Sequence, residues 1–326
     1  MSTDTHSVEA ARAMAQSGTT AEALAMLETA SRAGNANASI EGALWLLRGF
    51  PVPRDIAKAR EFTERGAAQG HADALLLNIA MKANGSGGPA DWSAALVLLR
   101  QYAPRHDWLQ RELALVDKLD LRLDGYPNDC PSGELLNADL GLAHFAGFLS
   151  QEEAQHIANV AVQTLKPSTV FDPASGRQVA NPIRTSDGTV IGPAEEDLVV
   201  QAINRRIASA TGTTFEQGEP ISVLRYNPGQ EYRLHFDAIN NEVNNRIKTV
   251  IVYLNDAFEG GETHFPALGL TIKPSAGDAI VFDNLRSDGS IIRESRHAGL
   301  PVRRGVKWVA TRWIRRQLYD PWSAKG

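Results

Sequence analysis

Three side chains near the C-terminal end of this chain could share one metal ion: His235, Asp237 and, sixty-two positions after the first, His297. A strand puts residues i and i+2 on one face, so His235 and Asp237 can point at a single ion while Phe236 packs behind them. Two imidazoles and a carboxylate are the ligand set that non-haem Fe(II) oxygenases use, leaving coordination positions open for a co-substrate and for O₂. Lys307, ten residues past His297, offers a cation where an acidic co-substrate needs one. The chemistry implied is oxidative. Each residue alone has a bland reading: His235 as a partly buried polar side chain, Lys307 as a solvated strand end. Their combination gives the set meaning, and the absence of neighbouring cysteines argues against a structural zinc site.

Such a set needs strands to hold it. From Ile221 onward the pattern changes to two-residue alternation, predicting strands over Ile221–Tyr226, Tyr232–Asp237, Ile247–Asn255, Ala279–Asp283 and Lys307–Arg315. Turn signals separate them at Asn227-Pro228-Gly229, Glu259-Gly260-Gly261, Pro274 to Asp278 and Ser287-Asp288-Gly289. Short antiparallel strands around a ligand-binding mouth suggest a double-stranded β-helix, or jelly roll. On the last strand Lys307, Val309, Thr311 and Trp313 share a face that could line the barrel. Upstream, Ser150 with Glu153 caps a helix predicted to run to about Thr164, and a second helix is expected over Ala194 to Thr211. The stretch Arg184-Thr185-Ser186-Asp187-Gly188 between them reads as a loop.

The front third is of another kind. Ala21, Ala23, Met26, Gly34 and Ala38 recur 36 positions later as Ala57, Ala59, Phe62, Gly70 and Ala74, with a fainter copy from Ser93, Ala95 and Leu98. That period marks stacked helix-turn-helix units. Thr19 with Glu22 suggests a capping box, Asp55 and Asp91 suit later helix starts, and Gly34 and Gly70 suit helix ends. Over about residues 8–105, with the stretch Gly66 to Ala74 as its clearest part, this pattern resembles Sel1-like repeats, relatives of the tetratricopeptide repeat. An ordinary alanine-rich helical bundle is the plain alternative. Trp92, Tyr102 and Trp108 read as core packing. Residues 124–137 concentrate Pro, Gly and polar side chains and read as a linker. The expected architecture is α+β: a helical repeat domain over 1–123, the linker, and a jelly-roll domain with flanking helices over 138–326.

Composition narrows the classes. A chain of 326 residues with 43% hydrophobic content is long enough for two globular domains. A net charge of −5 gives no bulk attraction to nucleic acid or acidic membranes. The first twenty residues carry Asp4, His6, Glu9 and Arg12 without an apolar core, and the strongest apolar run, Val250–Leu254, is too short to span a bilayer. The expectation is a cytoplasmic protein with neither nucleic acid nor membrane as partner. Cys130, the sole cysteine, excludes an internal disulfide framework and is expected to be a small packed residue.

The stretch Leu224 to Tyr232 before His235, then Tyr253-Leu254-Asn255, Gly260 to Thr263, Lys273-Pro274, Gly277 to Ala279 and Lys307 to Trp313, resembles the prolyl 4-hydroxylase branch of the 2-oxoglutarate/Fe(II) dioxygenases. Arg184-Thr185-Ser186 also matches, and the likeness covers roughly residues 138–318. It implies that His235, Asp237 and His297 hold Fe(II), and that 2-oxoglutarate and O₂ are co-substrates, with ascorbate beside them. By the same resemblance Lys307 pairs with the distal carboxylate of 2-oxoglutarate, Thr263 adds a hydrogen bond and Tyr226 donates its hydroxyl to the co-substrate. Arg246, Trp313 and Arg184 become candidate substrate contacts. The implied reaction hydroxylates a peptidyl residue, proline first, and releases succinate and CO₂. The helical repeats could present the peptide or protein substrate. Alternatives are a hydroxylase of a free amino acid, another small molecule or a non-prolyl residue, and an interaction protein with a sensor-like oxygenase domain. His264 reads as a neighbour rather than a ligand, and Arg303-Arg304 and Arg315-Arg316 as solvated pairs. Relatives often carry histidine where this chain has Arg315, which suggests an acidic or peptide-carboxylate substrate, or a target other than proline.

Overall fold

The computed structural model describes residues 3–172 and 176–323, and the chain folds into two compact units. One comprises residues 1–125 with 193–201; the other comprises 126–192 with 202–326.

The first unit carries α1 (Thr3–Gln16), α2 (Thr20–Arg32), α3 (Ala36–Arg48), α4 (Ile56–Ala68), α5 (Ala72–Asn84), α6 (Trp92–Tyr102) and α7 (Asp107–Val116). Helices α2, α4 and α6 start at 20, 56 and 92, and α3 and α5 at 36 and 72, so the period of the sequence is the period of the structure. Small residues set how closely successive helices pack. A Cβ on Gly42 would lie 2.5 Å from the Phe62 ring, and one on Gly66 would lie 2.7 Å from the Ala74 Cβ, so α3, α4 and α5 cross where side chains are missing. Asp55 and Asp91 accept from the backbone N–H of Lys58 and Ala94, as the sequence predicted. Thr19 does not cap α2. Its hydroxyl instead donates to the Met14 carbonyl at the end of α1, and φ −89°, ψ 61° is not cap geometry. Gly34 and Gly70 follow helix ends with φ of 101° and 86°, which glycine alone adopts at no steric cost.

The second unit is built from β1 (Glu134–Asn137), β2 (Leu142–Phe145), α8 (Gln151–Val162), β3 (Lys166–Pro167), β4 (Thr169–Asp172), β5 (Arg177–Ala180), β6 (Asp187–Ile191), the part of α9 (Leu198–Thr211) from Ala202 onward, and β7 (Ile221–Tyr226). It continues with β8 (Tyr232–His235), β9 (Arg246–Tyr253), β10 (Phe258–Gly260), β11 (Thr263–Phe265), β12 (Leu270–Ile272), β13 (Ala279–Asp283), β14 (His297–Gly299), β15 (Val302–Gly305) and β16 (Lys307–Arg315). An eight-stranded sheet runs in the order β1-β2-β13-β9-β16-β7-β6-β3, and a four-stranded sheet β12-β11-β14-β8 covers it. Leu224, Tyr226, Ile251, Tyr253, Phe282 and Val309 from the large sheet meet Phe265 from the small one, with Phe265 edge-on to Phe282 at 5.2 Å. This is the jelly roll expected from the alternation. The capping box at Ser150 and Glu153 forms reciprocally and starts α8.

Boundaries differ at several places. The strand expected over Tyr232–Asp237 stops at His235, which leaves Asp237 just beyond it. Asp187 and Gly188, expected in a loop, open β6, and Arg184 bridges Tyr232. Helix α9 begins at Leu198, four residues after the expected start, where Asp197 accepts from the N–H of Val200. Cys130 is exposed, not packed. Among the described residues, no helix is long and apolar enough to cross a membrane.

Candidate metal centre

Strand pairing brings the three candidate ligands together. His235 on β8 and His297 on β14 are direct antiparallel partners, and Asp237 follows two residues after His235. One ligand atom from each lies within 4.8 Å of the others, and all three side chains are buried. Asp237 Oδ1 is 3.6 Å from His235 Nε2, and Oδ2 is 3.8 Å from His297 Nε2. Both imidazoles are oriented from behind. Nδ1 of His235 bonds to the Arg233 carbonyl at 2.8 Å and Nδ1 of His297 to the Ser295 carbonyl at 2.9 Å, so each Nδ1 carries the proton and each Nε2 lone pair faces Asp237. Two neutral nitrogens and one carboxylate suit a divalent first-row cation.

Burial pushes the His297 pKa down to about 4, so its ring is neutral near pH 7, as a metal ligand must be. Burial alone would raise Asp237. The contact with His235, the positive charge that His297 and His235 carry in the acid range where the carboxyl titrates, and the Thr249 hydroxyl outweigh it and hold the carboxyl well below its ordinary range.

The sequence reading missed the groups that support this set. Thr249 donates to Asp237 Oδ2 at 2.7 Å and itself accepts from Asn284 Nδ2 at 2.9 Å. The Tyr232 ring stacks on His235, centroids 3.5 Å apart and 11° from parallel, and Phe282 and Phe265 pack on His297. Alternation along β9 was the available signal for Thr249, since Thr249, Ile251 and Tyr253 pair in register with Trp313, Thr311 and Val309. Asn284 lies beyond a strand end and carried no such signal.

Beside the ligands lies a cavity lined by Tyr226, Tyr232, Thr263, Lys307, Val309, Thr311 and Trp313 along with the three ligands themselves. The alternate residues expected to line the barrel do so. Lys307 is buried and donates to the Gly261 carbonyl at 2.6 Å, and burial lowers its pKa to about 8. Tyr226 pairs with it across β7 and β16. Burial raises the Tyr226 and Tyr253 hydroxyls, so both stay protonated, and Tyr253 is hydrogen-bonded to Thr263. Tyr253 was not singled out from the sequence. His264 is no part of the set; its Nδ1 meets the Thr271 hydroxyl at 2.9 Å.

The candidate substrate residues divide. Trp313 lines the cavity, and the Arg246 guanidinium lies 3.8 Å over its ring. Arg246 also donates to both oxygens of Glu219, at 2.6 and 2.8 Å. Arg315 overturns its expectation. It is buried, with Nε 2.6 Å from the same Glu219 carboxylate and Nη1 donating to the Asn244 carbonyl, so it is a structural ion pair rather than a solvated charge or a hand held out to substrate. Arg184 donates to the Ser168 hydroxyl and sits 5.5 Å from the Tyr232 ring centre, at one remove from the cavity. Arg303 and Arg304 are exposed, as expected.

A family model described as the 2OG-Fe(II) oxygenase superfamily matches residues 221–315. The chain is 36% identical over 202 residues to a probable prolyl 4-hydroxylase 4 of Arabidopsis thaliana, covering 54% of this chain and 67% of that protein. Among solved structures, the 2OG complex of a viral collagen prolyl hydroxylase from Paramecium bursaria Chlorella virus-1 is 31% identical, with a TM-score of 0.44, covering 53% of this chain and 95% of that one. A Sel1 repeat protein from Oxalobacter formigenes is 18% identical, with a TM-score of 0.30, covering 35% of this chain and 49% of that one.

Proposed function

The chain belongs to the prolyl 4-hydroxylase-like 2OG-Fe(II) oxygenases, and from that premise we propose that it hydroxylates a peptidyl proline, converting 2-oxoglutarate and O₂ to succinate and CO₂. The observation that carries the reading is the burial of His235, Asp237 and His297 together, in one cavity with Lys307. In this reading Nε2 of each histidine and a carboxylate oxygen of Asp237 hold the ion. When bound, ferrous iron supplies the redox chemistry that couples decarboxylation of 2-oxoglutarate to insertion of one oxygen atom into a C–H bond.

The protein's own groups bind, orient and keep water out. Lys307 and the Thr263 hydroxyl receive the distal carboxylate of 2-oxoglutarate at the dry end of the cavity, where a charge-assisted bond is strongest. Because Tyr253 can donate to Thr263, the Thr263 hydroxyl is free to donate its own proton to that carboxylate. Tyr226, protonated at all working pH values, donates to the co-substrate. Trp313, backed by Arg246, forms a flat apolar wall suited to a pyrrolidine ring, and Arg184, 5.5 Å from the Tyr232 ring centre, is a candidate for a more distant substrate contact. The first unit is assigned the holding of the polypeptide that carries the target residue.

The experiment is a turnover assay with Fe(II), 2-oxoglutarate and ascorbate, reading succinate and the one-oxygen mass gain of a proline-rich peptide. Free proline and proline-free peptides serve as comparison. Succinate release that follows the peptidyl proline supports the reading, and equal release with proline-free peptides overturns it.

A further inference from the structure

Of the three candidate ligands, Asp237 is the one that lies outside a strand. His235 and His297 face each other across β8 and β14, whereas β8 ends at His235 and Asp237 belongs to the connection that leads to β9. Thr249 fixes one oxygen of its carboxylate but not the backbone that carries it, and Arg246 Nη1 meets the Asp237 carbonyl at a long 3.5 Å. The connection itself faces water: residues 239–243 are exposed, Val243 to 82%, and the chain turns through Asn241 at a φ of 60°. Ordering such a loop costs conformational entropy at every residue, so a ligand carried on it needs something to tie the loop ends together.

Asn245 supplies the tie. It is buried, and its amide stands in for a neighbouring strand. Oδ1 accepts from the N–H groups of Ile239 and Arg246, each at 2.8 Å, and Nδ2 donates to the Ile239 carbonyl at 2.8 Å. Two backbone N–H donors at the oxygen decide which way the amide faces. Both backbone groups of Ile239, two residues past the ligand, are thereby joined to the residue that precedes β9. The C-terminal tail grips the same corner from the other side. Arg316 N–H donates to the Asn245 carbonyl at 2.9 Å, Gln317 N–H to Asn244 Oδ1 at 2.7 Å, Asn244 Nδ2 to the Leu318 carbonyl at 3.1 Å and Arg315 Nη1 to the Asn244 carbonyl at 2.8 Å. The tail is anchored in turn, because Gln217 Nε2 donates to the Arg315 and Arg316 carbonyls and Tyr319 N–H to the Glu216 carbonyl. An unbroken run of bonds leads from residues 216–217 through the tail and Asn245 to Ile239.

We propose that Asn245 is a positioning residue for the metal: it sets the backbone that carries Asp237, and the tail from Arg315 to Tyr319, gripped by Asn244, keeps Asn245 in place. The assignment rests on the reading of His235, Asp237 and His297 as ligands, and it adds what holds the third of them within reach of the other two. A tail that contributes no ligand thus becomes part of the metal site.

Binding of Mn(II) alone to the full chain, read by titration calorimetry, tests this apart from turnover, with His235→Ala marking the loss of a ligand. Asn245→Ala is expected to bind Mn(II) about tenfold more weakly than the unaltered chain, the lower end of what losing an outer support costs a metal site. Asn244→Ala, one step further from the ligand and only partly buried, is expected to weaken binding about threefold, the order of one lost hydrogen bond, and decides the matter if Asn245→Ala does not fold. Amide hydrogen exchange separates positioning from general destabilisation. In both variants the Ile239 N–H should exchange faster while the amides of β9 and β13 keep their protection. Unchanged Mn(II) affinity in the folded variants overturns the proposal and leaves the ligand reading standing, as does a weakened affinity that comes with equal loss of protection throughout β9 and β13. Absence of Mn(II) binding by the unaltered chain, or equal binding by His235→Ala, overturns the ligand reading and the proposal with it.

Discussion

At the scale of single residues, Lys307 is the most informative group because its charge is conditional. Burial lowers its pKa to about 8, so the free protein carries the ammonium below that pH and loses it above. A carboxylate partner stabilises the ammonium, so binding 2-oxoglutarate above pH 8 requires uptake of one proton. The dissociation constant should be flat from pH 6 to about 7.5, then rise by up to about tenfold per pH unit. Burial keeps Tyr226 and Tyr253 protonated through this range, so the limb belongs to Lys307. Lys307→Met should bind weakly with no such limb, as titration calorimetry across pH would show; an identical limb in that variant would refute the assignment. Thr249 gives a second test. Thr249→Val keeps all three candidate ligands but removes the bond that fixes Asp237 Oδ2, and iron affinity is expected to fall about 10- to 100-fold with little change in fold. Unchanged affinity in a competition titration would show that Asp237 is held by other means. His235, Asp237, His297 and Lys307 were legible in the sequence because metal and carboxylate chemistry restricts which side chains can serve. Tyr232, Thr249 and Asn284 were not, since stacking and hydrogen-bonded support can be built from many residue types and only the folded register brings them to the ligands.

At the scale of elements, alternation and period carried the reading, and element ends escaped it. The strand β16 was legible over its whole length because Lys307, Val309, Thr311 and Trp313 repeat every second residue. Arg315 at its end was misread because its partner, Glu219, lies 96 positions earlier, just before β7. Local pattern holds no record of such a pairing. Glu219 ties together the ends of three strands: the approach to β7, the start of β9 at Arg246 and the end of β16 at Arg315. Removing its charge leaves the buried Arg315 and the partly buried Arg246, which lies over Trp313, without their shared carboxylate. Glu219→Ala is therefore expected to cost about 2–4 kcal/mol in stability and to raise the KM for peptide while the dissociation constant of 2-oxoglutarate stays near its original value. An equal effect on both ligands would mean that the clamp supports the whole barrel rather than the proposed substrate wall at Trp313. In the helical unit, Gly66→Ala should destabilise by about 1–3 kcal/mol, because a Cβ there would lie 2.7 Å from the Ala74 Cβ. Helix propensity alone predicts the opposite, a gain of up to about 1 kcal/mol, so chemical denaturation decides between close packing and propensity by the sign of the change.

At the scale of the whole molecule, the α+β order was legible because a 36-residue period and a two-residue period cannot be mistaken for one another. The grouping of residues 193–201 with the helical repeats was not, since it depends on bonds from Asn84, Glu112 and Gln201 that join distant stretches of chain. Ligand linkage tests whether function partitions as the fold does. A ligand that binds only the native state adds stability as RT ln(1 + [L]/Kd), about 2.7 kcal/mol at a hundredfold excess over Kd. Mn(II), a divalent ion suited to the same donors, should raise the melting temperature of the full chain, and 2-oxoglutarate should raise it further. Lys307→Met should keep the Mn(II) increment and lose most of the second. His235→Ala should lose both, because its ion is weakly held and 2-oxoglutarate then lacks the metal half of its site. Asp73→Asn with Glu195→Gln, confined to the other unit, should keep both. Scanning calorimetry of the four proteins reads these increments directly. If 2-oxoglutarate stabilised Lys307→Met as strongly as the unaltered chain, the carboxylate anchor would have to lie elsewhere, and the placement of the co-substrate along β16 would fall with it.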